Sequence, residues 1–426
     1  MSRNGAIYAS PSRNDPDYYY FWTRDGALTM DALAPYLKSD PATYEDMFER
    51  FTNFTIKIQA TPNPSNGVGE PKFNMDGSAF TGHWGRPQND GPAIRAFALS
   101  RYAEYLRAKD PSKDLSYLYK ASLPAQSPIK TDLEYVSHRW GDSSFEIWEE
   151  VKGHHFYTRL VQYKAMVDGA KLAASLQDQG AADWYNKQAF MIHRSLNDFW
   201  DSNRKLIVCT VGRDGGLDYK TSNLDNQVLL AALHAGGDQP GTFAPWDDRV
   251  LATIKALVDT FRPAYTINAQ RPDLPPAIGR YIEDTYDGHG NSRGNPWILN
   301  TAAHAEAQFR VRTHFARTGL ITINDLNRDF FNWVLADSGV ANGLQVSNGQ
   351  VLRKGDANFA TVLNALLAQG DRFIERIRAH TPSDGNLYEQ WNRETAASQG
   401  APHLTWSYSS FATAYTAGEE TRAIKV

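Results

Sequence analysis

Apolar side chains recur along this chain at alternating steps of four and three, the spacing that gathers them on one face of an α-helix. Phe156, Leu160, Tyr163, Val167, Ala170 and Ala174 show it most cleanly. Tyr44, Phe48, Phe51, Phe54 and Ile58 repeat it, as do Tyr185, Ala189, Ile192, Leu196 and Phe199, and again Val250, Ile254, Leu257 and Phe261. Weaker versions occupy 94–106, 224–233, 297–317, 325–335 and 358–379. Several starts place proline just inside the first turn, where its missing N–H leaves nothing unsatisfied: Asp40-Pro41, Asp90-Gly91-Pro92 and Asn295-Pro296. Strand signals are short, at Leu206–Val211 and Leu344–Val346. Loops rich in Gly, Pro, Asn and Asp separate the helices at 61–92, 122–148, 264–295 and 381–403. Loops of that length in a compact domain usually carry function. The expectation is a single all-α domain spanning 1–426, with about eleven to twelve helices. A fixed-period repeat, the mark of an open solenoid, is absent, which favours helical hairpins closed into a ring.

Composition narrows the function. No apolar run approaches the roughly 18 residues of a membrane-spanning helix, so no membrane role is expected. A net charge of −4 argues against a nucleic-acid partner held on a basic surface. Met1–Tyr8 has no apolar leader core. The single cysteine, Cys209, excludes intramolecular disulfides and a cysteine-cluster metal site. No Walker loop, G-x-S-x-G elbow or H-E-x-x-H is present. Gly288–Gly294 has one residue too many for a dinucleotide fingerprint and follows no strand. His154-His155 reads as a surface or capping pair, because neighbours on a helix point apart.

The 11 Trp and 21 Tyr include several placed in loops beside charged residues. Asp17-Tyr-Tyr-Tyr-Phe-Trp-Thr-Arg-Asp25 precedes a helix. Arg24 and Asp25 could grip adjacent sugar hydroxyls from the donor and acceptor sides, or Asp25 could simply cap the helix. Trp84, between Gly82 and Gly85, is either a sugar-facing wall or a packed loop indole. In Phe145-Glu-Ile-Trp-Glu-Glu-Val151 the pair Glu149-Glu150 is either a solvated helix start or a site for a general acid. Glu389, after the turn-forming Ser383–Asn386, is a loop carboxylate. Two carboxylates far apart in sequence are what glycoside hydrolysis requires.

Taken together and in order, these segments resemble glycoside hydrolase family 15, the glucoamylases. The matching stretches are Pro16–Asp25, Gly69–Asn74, Trp84–Gln88, Ile147–Val151, Gly279–Tyr286, Asn295–Trp297, Glu389-Gln390 and Leu404–Tyr408. The resemblance implies an (α/α)6 barrel and an exo-acting, inverting hydrolase that frees β-D-glucose from the non-reducing ends of α-1,4-glucans, with slower α-1,6 cleavage. It implies Glu149 as general acid and Glu389 as general base, their carboxyls roughly 6.5–9.5 Å apart to admit a water. Tyr18, Arg24, Asp25, Trp84, Ile147, Trp148, Glu150, Arg280, Trp297 and Trp406 would bind the sugar. No metal or organic cofactor is implied, nor any partner beyond the glucan; a monomer is expected.

Departures from the family pattern bear on several expectations. About seventeen residues precede the aromatic run, so either a helix is missing or the chain is truncated. Glu146 stands where Asp is frequent, and Ile282 where Pro is. No separate starch-binding domain is expected. Secretion or a periplasmic home follows from the resemblance, a cytoplasmic one from the absent leader. The alternatives are a relative specific for isomaltose, dextran or trehalose, and a non-catalytic glucan-binding protein on the same fold.

Overall fold

The computed structural model describes residues 1–237, 241–341 and 343–425. They form two compact units: Met1–Asp198 with Thr210–Asp218, and Phe199–Cys209 with Tyr219–Val426.

The first unit is organised around the helix Gly91–Lys109. Thirteen of its residues are buried, on every side of the helix, which suits an element surrounded by others rather than lying on a surface. It packs against the helices Thr23–Leu33, Pro128–Arg139 and Phe156–Ser175. A buried ion pair fastens one of these contacts: Arg95 donates to both oxygens of Asp132, at 2.7 and 2.6 Å. Phe156–Ser175 and Gln179–Ser195 make an antiparallel-type hairpin closed by a three-residue link, with Asp178 accepting from the Ala181 N–H to cap the second helix. The expected helix over 185–199 thus starts earlier and ends in a 3-10 turn, Leu196–Phe199.

In the second unit Ile298–Thr318 takes the central place, with sixteen buried residues. It packs against Gln227–Ala235, Ala357–His380 and Thr405–Arg422. His304, on its buried stretch, is pushed down to about 3 by burial and sits neutral against Asn226 Oδ1 at 2.9 Å. Asn226 in turn donates to Asn300, and Asn300 to the Gly279 carbonyl, so the helix fixes the loop leading to Arg280.

Thirteen α-helices occur among the described residues. Two fall inside segments expected to be loops. Pro128–Arg139 carries an apolar stripe of Ile129, Leu133 and Val136 that is too short to stand out, and Thr266–Gln270 is only five residues long. The strand expected at Leu344–Val346 is absent; Val346 exchanges both backbone hydrogen bonds with the Asn332 side chain instead of a neighbouring strand. Leu206–Val211 is interrupted: Leu206–Ile207 pairs with Trp200–Asp201, and Thr210–Gly216 pairs with Val151–His155. His154 and His155 lie on that last strand, not on a helix. His155 is core, held by Thr210 Oγ1 and the Ser144 carbonyl, each at 2.9 Å.

Candidate active site

Glu149 occupies the turn that joins the strands Ser144–Phe145 and Val151–His155, so Glu149-Glu150 opens no helix. Its backbone is left-handed, φ 70°, a conformation that costs a non-glycine residue energy and must be imposed from outside. Glu146 imposes it. This carboxylate is fully buried and accepts the N–H groups of Trp148, Glu150 and Val151 at 2.5, 2.9 and 3.2 Å. The Glu149 N–H closes the turn on the Glu146 carbonyl at 2.9 Å. Gly85 leaves room on the other side: a Cβ there would lie 2.5 Å from the Glu149 carbonyl oxygen.

Side chains from two further segments meet the Glu149 carboxyl, and all act on Oε1. Trp22 Nε1 donates at 2.7 Å, Gln88 Nε2 donates at 3.0 Å, and Arg24 Nη2 lies 3.6 Å away. Arg24 also donates to Gln88 Oε1 and Asp90 Oδ2, at 2.8 and 3.3 Å. Burial opposes its charge, but Asp90, Asp25 and Glu149 outweigh that and hold the guanidinium firmly protonated. Asp25 is not a cap. Trp22 is the N-cap of Thr23–Leu33, and Asp25 lies in its first turn. Burial lifts the Asp25 carboxyl to about 6, Arg24 pulling it back while Glu149 and Asp90 add repulsion. Its Oδ2 is buried with no hydrogen-bond donor among the described residues, though Arg24 Nε stands 3.5 Å away. A ligand hydroxyl would satisfy it.

The rings form a cage beside this carboxyl. Trp22 is the hub, with Tyr18 at 5.6 Å and Trp84 at 5.9 Å between ring centres. Lys72 Nζ points among them, 3.6 Å from the Trp84 ring, 4.2 Å from those of Tyr20 and Phe80, and 4.5 Å from Trp22. Burial draws Lys72 down to about 8, with Glu149 and Asp17 resisting. Trp84 is half-buried, and its Nε1 has no acceptor among the described residues. Ile147, Trp148 and Glu150 share the Glu149 turn, the first two buried and the third half-buried.

Glu389 belongs to the second unit and is 1% exposed. It is held mainly by backbone: its N–H donates to Ala401 O at 2.9 Å, and its carbonyl accepts from Ile298 N at 3.3 Å. It leads into the hairpin of Gln390–Trp391 with Ser398–Gln399. Gly400, at φ 72°, lies against the carboxyl; a Cβ there would fall on Glu389 Oε2, so only glycine fits. The Tyr286 hydroxyl donates to the same oxygen at 3.3 Å. Arg280 clamps Asp284 through two hydrogen bonds, at 2.7 and 2.6 Å, and its guanidinium stands 5.3 Å from the rings of both Trp297 and Tyr286. Trp406 is buried in the first turn of Thr405–Arg422, where Ser407 Oγ ties the helix to the Tyr388 carbonyl at 2.9 Å.

The first unit therefore gathers Tyr18, Arg24, Asp25, Trp84, Ile147, Trp148 and Glu150 about Glu149, and the second holds Glu389, Arg280, Trp297 and Trp406. Trp22, Gln88, Glu146 and Tyr286 were not singled out from sequence. All four stand within the stretches quoted above, Glu146 as the residue found where Asp is frequent.

The family described as Glycosyl hydrolases family 15 matches residues 2–416. The chain belongs to that family. It is 38% identical to a glucoamylase of Blastobotrys adeninivorans over 98% of this chain and 68% of the relative. To Glucoamylase 1 of Rhizopus oryzae it is 37% identical, over 97% of this chain and 66% of the relative. The chain thus spans about two thirds of the length of these two relatives. Among solved structures, a glucoamylase from Saccharomycopsis fibuligera superposes with a TM-score of 0.89 at 34% identity, covering 99% of this chain and 90% of that one. The expected classes hold: this is a family 15 glycosidase of the glucan 1,4-α-glucosidase class, and the (α/α)6 barrel is the fold of its structural neighbours.

Proposed function

We propose that this family 15 hydrolase releases β-glucose from the non-reducing ends of α-1,4-glucans with inversion, and cleaves α-1,6 links more slowly. The observation that carries the reading is the convergence of Trp22, Gln88 and Arg24 on Oε1 of Glu149. An oxygen already facing two N–H donors and a guanidinium is a poor seat for a proton, so the acid form of Glu149 carries its proton on Oε2. From there it passes to the glycosidic oxygen as the bond to C1 breaks. Glu389 takes a proton from the water that attacks C1 from the opposite face, and the Tyr286 hydroxyl steadies its Oε2. Arg24 and Asp25 grip the hydroxyls of the terminal glucose, with the Asp25 Oδ2 accepting one of them. Tyr18, Trp84, Trp148, Trp297 and Trp406 supply apolar walls, the Ile147 carbonyl accepts a hydroxyl, and Glu150 and Arg280 meet the next sugar.

The anomer of the first glucose released tests this directly. Proton NMR of maltotriose digestion should show β-glucose before mutarotation; α-glucose would exclude inversion. Isomaltose should be hydrolysed more slowly than maltose, and a preference for isomaltose would reassign the linkage.

A further inference from the structure

A cavity lies in the first unit and shares no residue with the Glu149 region. It encloses about 560 Å³ and is lined by Leu123, Lys130, Glu134, His138, Asp178 and Trp184, among others. Its polar floor is already built. Lys130 Nζ lies 2.9 Å from Asp178 Oδ2 and 3.3 Å from Glu134 Oε1. The hydroxyls of Tyr119 and Tyr185 donate to those same two oxygens, at 2.8 and 2.7 Å. The Trp184 ring stands 5.5 Å from the His138 imidazole, and its Nε1 is buried with no hydrogen-bond acceptor among the described residues. Leu123, 73% exposed, sits at the rim.

Each feature restricts the occupant. One ammonium set between two carboxylates is already neutralised, and the three groups together carry net negative charge, which disfavours an anion. The volume falls within the roughly 300–1,000 Å³ of cavities that hold small ligands. A buried indole N–H without an acceptor is costly unless a ligand oxygen or a water supplies one. Carboxylates rigidly held by tyrosine and lysine still have lone pairs for hydroxyl donors, and an indole offers an apolar face to the C–H surface of a sugar ring. Neutral, polyhydroxylated and partly apolar is the description of a glucan.

We propose that this cavity is a second α-glucan site, which holds a stretch of the polymer away from the reacting end; the choice of glucan rests on the function proposed above. The test uses cyclomaltoheptaose, a ring of α-1,4-linked glucose with no non-reducing end for an exo-acting enzyme to cut. Calorimetric titration of the full chain should show saturable binding, and Trp184→Ala should weaken it about tenfold or more, equivalent to about 1.4 kcal/mol. Maltose hydrolysis by the variant should stay within about twofold of the parent, because that substrate needs only the reacting end. Trp184→Phe, which keeps an aromatic face and drops the N–H, should bind more weakly than the parent and carries the test if the alanine variant fails to fold. No binding by the parent chain, or equal binding by parent and variants, overturns the proposal. Failure of the parent to hydrolyse maltose would instead count against the function proposed above, since ring binding is read without turnover.

Discussion

Glu149 and Glu389 are held by opposite means. Glu149 sits in a strained turn and is steered by side chains from two other segments, Trp22 and Arg24 on one and Gln88 on another. Glu389 has its backbone tied into a hairpin, a glycine pressed against its carboxyl, and a tyrosine hydroxyl at 3.3 Å on Oε2. Charge is handled differently too. Around Glu149 one buried arginine serves Asp25, Asp90 and Glu149 at once, and Asp25 is left close to neutral pH in its titration. In the Glu389 region Arg280 forms a bidentate pair with Asp284. The first surroundings place several donors on one carboxylate oxygen; the second fix the backbone that carries the carboxylate.

The largest expected effect separates the two carboxylates by chemistry. Glu149→Gln and Glu389→Gln should each lower kcat on maltose by about 10³-fold or more, since acid and base assistance are each worth that order. With α-glucosyl fluoride, whose leaving group departs without a proton, Glu149→Gln should recover most of its turnover and Glu389→Gln should not. Equal recovery, or recovery by the Glu389 variant alone, would reverse or void the assigned roles.

The same contrast explains what could be read from sequence. A helix with a clean apolar face, such as Asp248–Phe261, is legible because burial on one side writes a period into the residues. Phe156–Ser175, by contrast, is buried around most of its first turns, and its stripe residues Tyr163, Val167 and Ala174 are half-buried or exposed. Pro128–Arg139 is short and lies in a segment rich in turn residues, so its three-residue stripe carries too little signal. At the site, Glu149, Glu389 and Arg24 stand in distinctive motifs. Glu146 and Gln88 stand in quoted stretches too, but their work is to satisfy backbone and carboxylate partners that only the folded chain brings near. Val346 is the same lesson inverted: a strand-like residue whose backbone is claimed by an asparagine side chain.

A second comparison concerns stability. Asp284→Asn should destabilise the chain by about 3–5 kcal/mol, because it breaks the buried bidentate pair with Arg280. Chemical denaturation at neutral pH measures it, and a loss below about 1 kcal/mol would show that the pair is replaceable.

Asp25→Asn should do the reverse, with a smaller effect that depends on pH. The Asp25 carboxyl is raised from 3.8 to about 6 by burial. Below pH 4 it is protonated in both folded and unfolded chains and contributes nothing to their balance. Between pH 4 and 6 the unfolded chain ionises first, so the folded state is progressively penalised, and above pH 6 the penalty is complete. A raised carboxyl is therefore a cost at neutral pH, at most about 3 kcal/mol for a shift of this size. Asparagine removes that cost but also withdraws one partner from Arg24, so a net gain of about 1–2 kcal/mol is expected at pH 7 and almost none at pH 4. Thermal unfolding at the two pH values reads the difference, and glucose release should fall in the same variant if, as proposed, Asp25 also grips the sugar. A variant less stable than its parent at pH 7 would show that Arg24 depends on Asp25 as strictly as Arg280 depends on Asp284, and the contrast between the two pairs would fail.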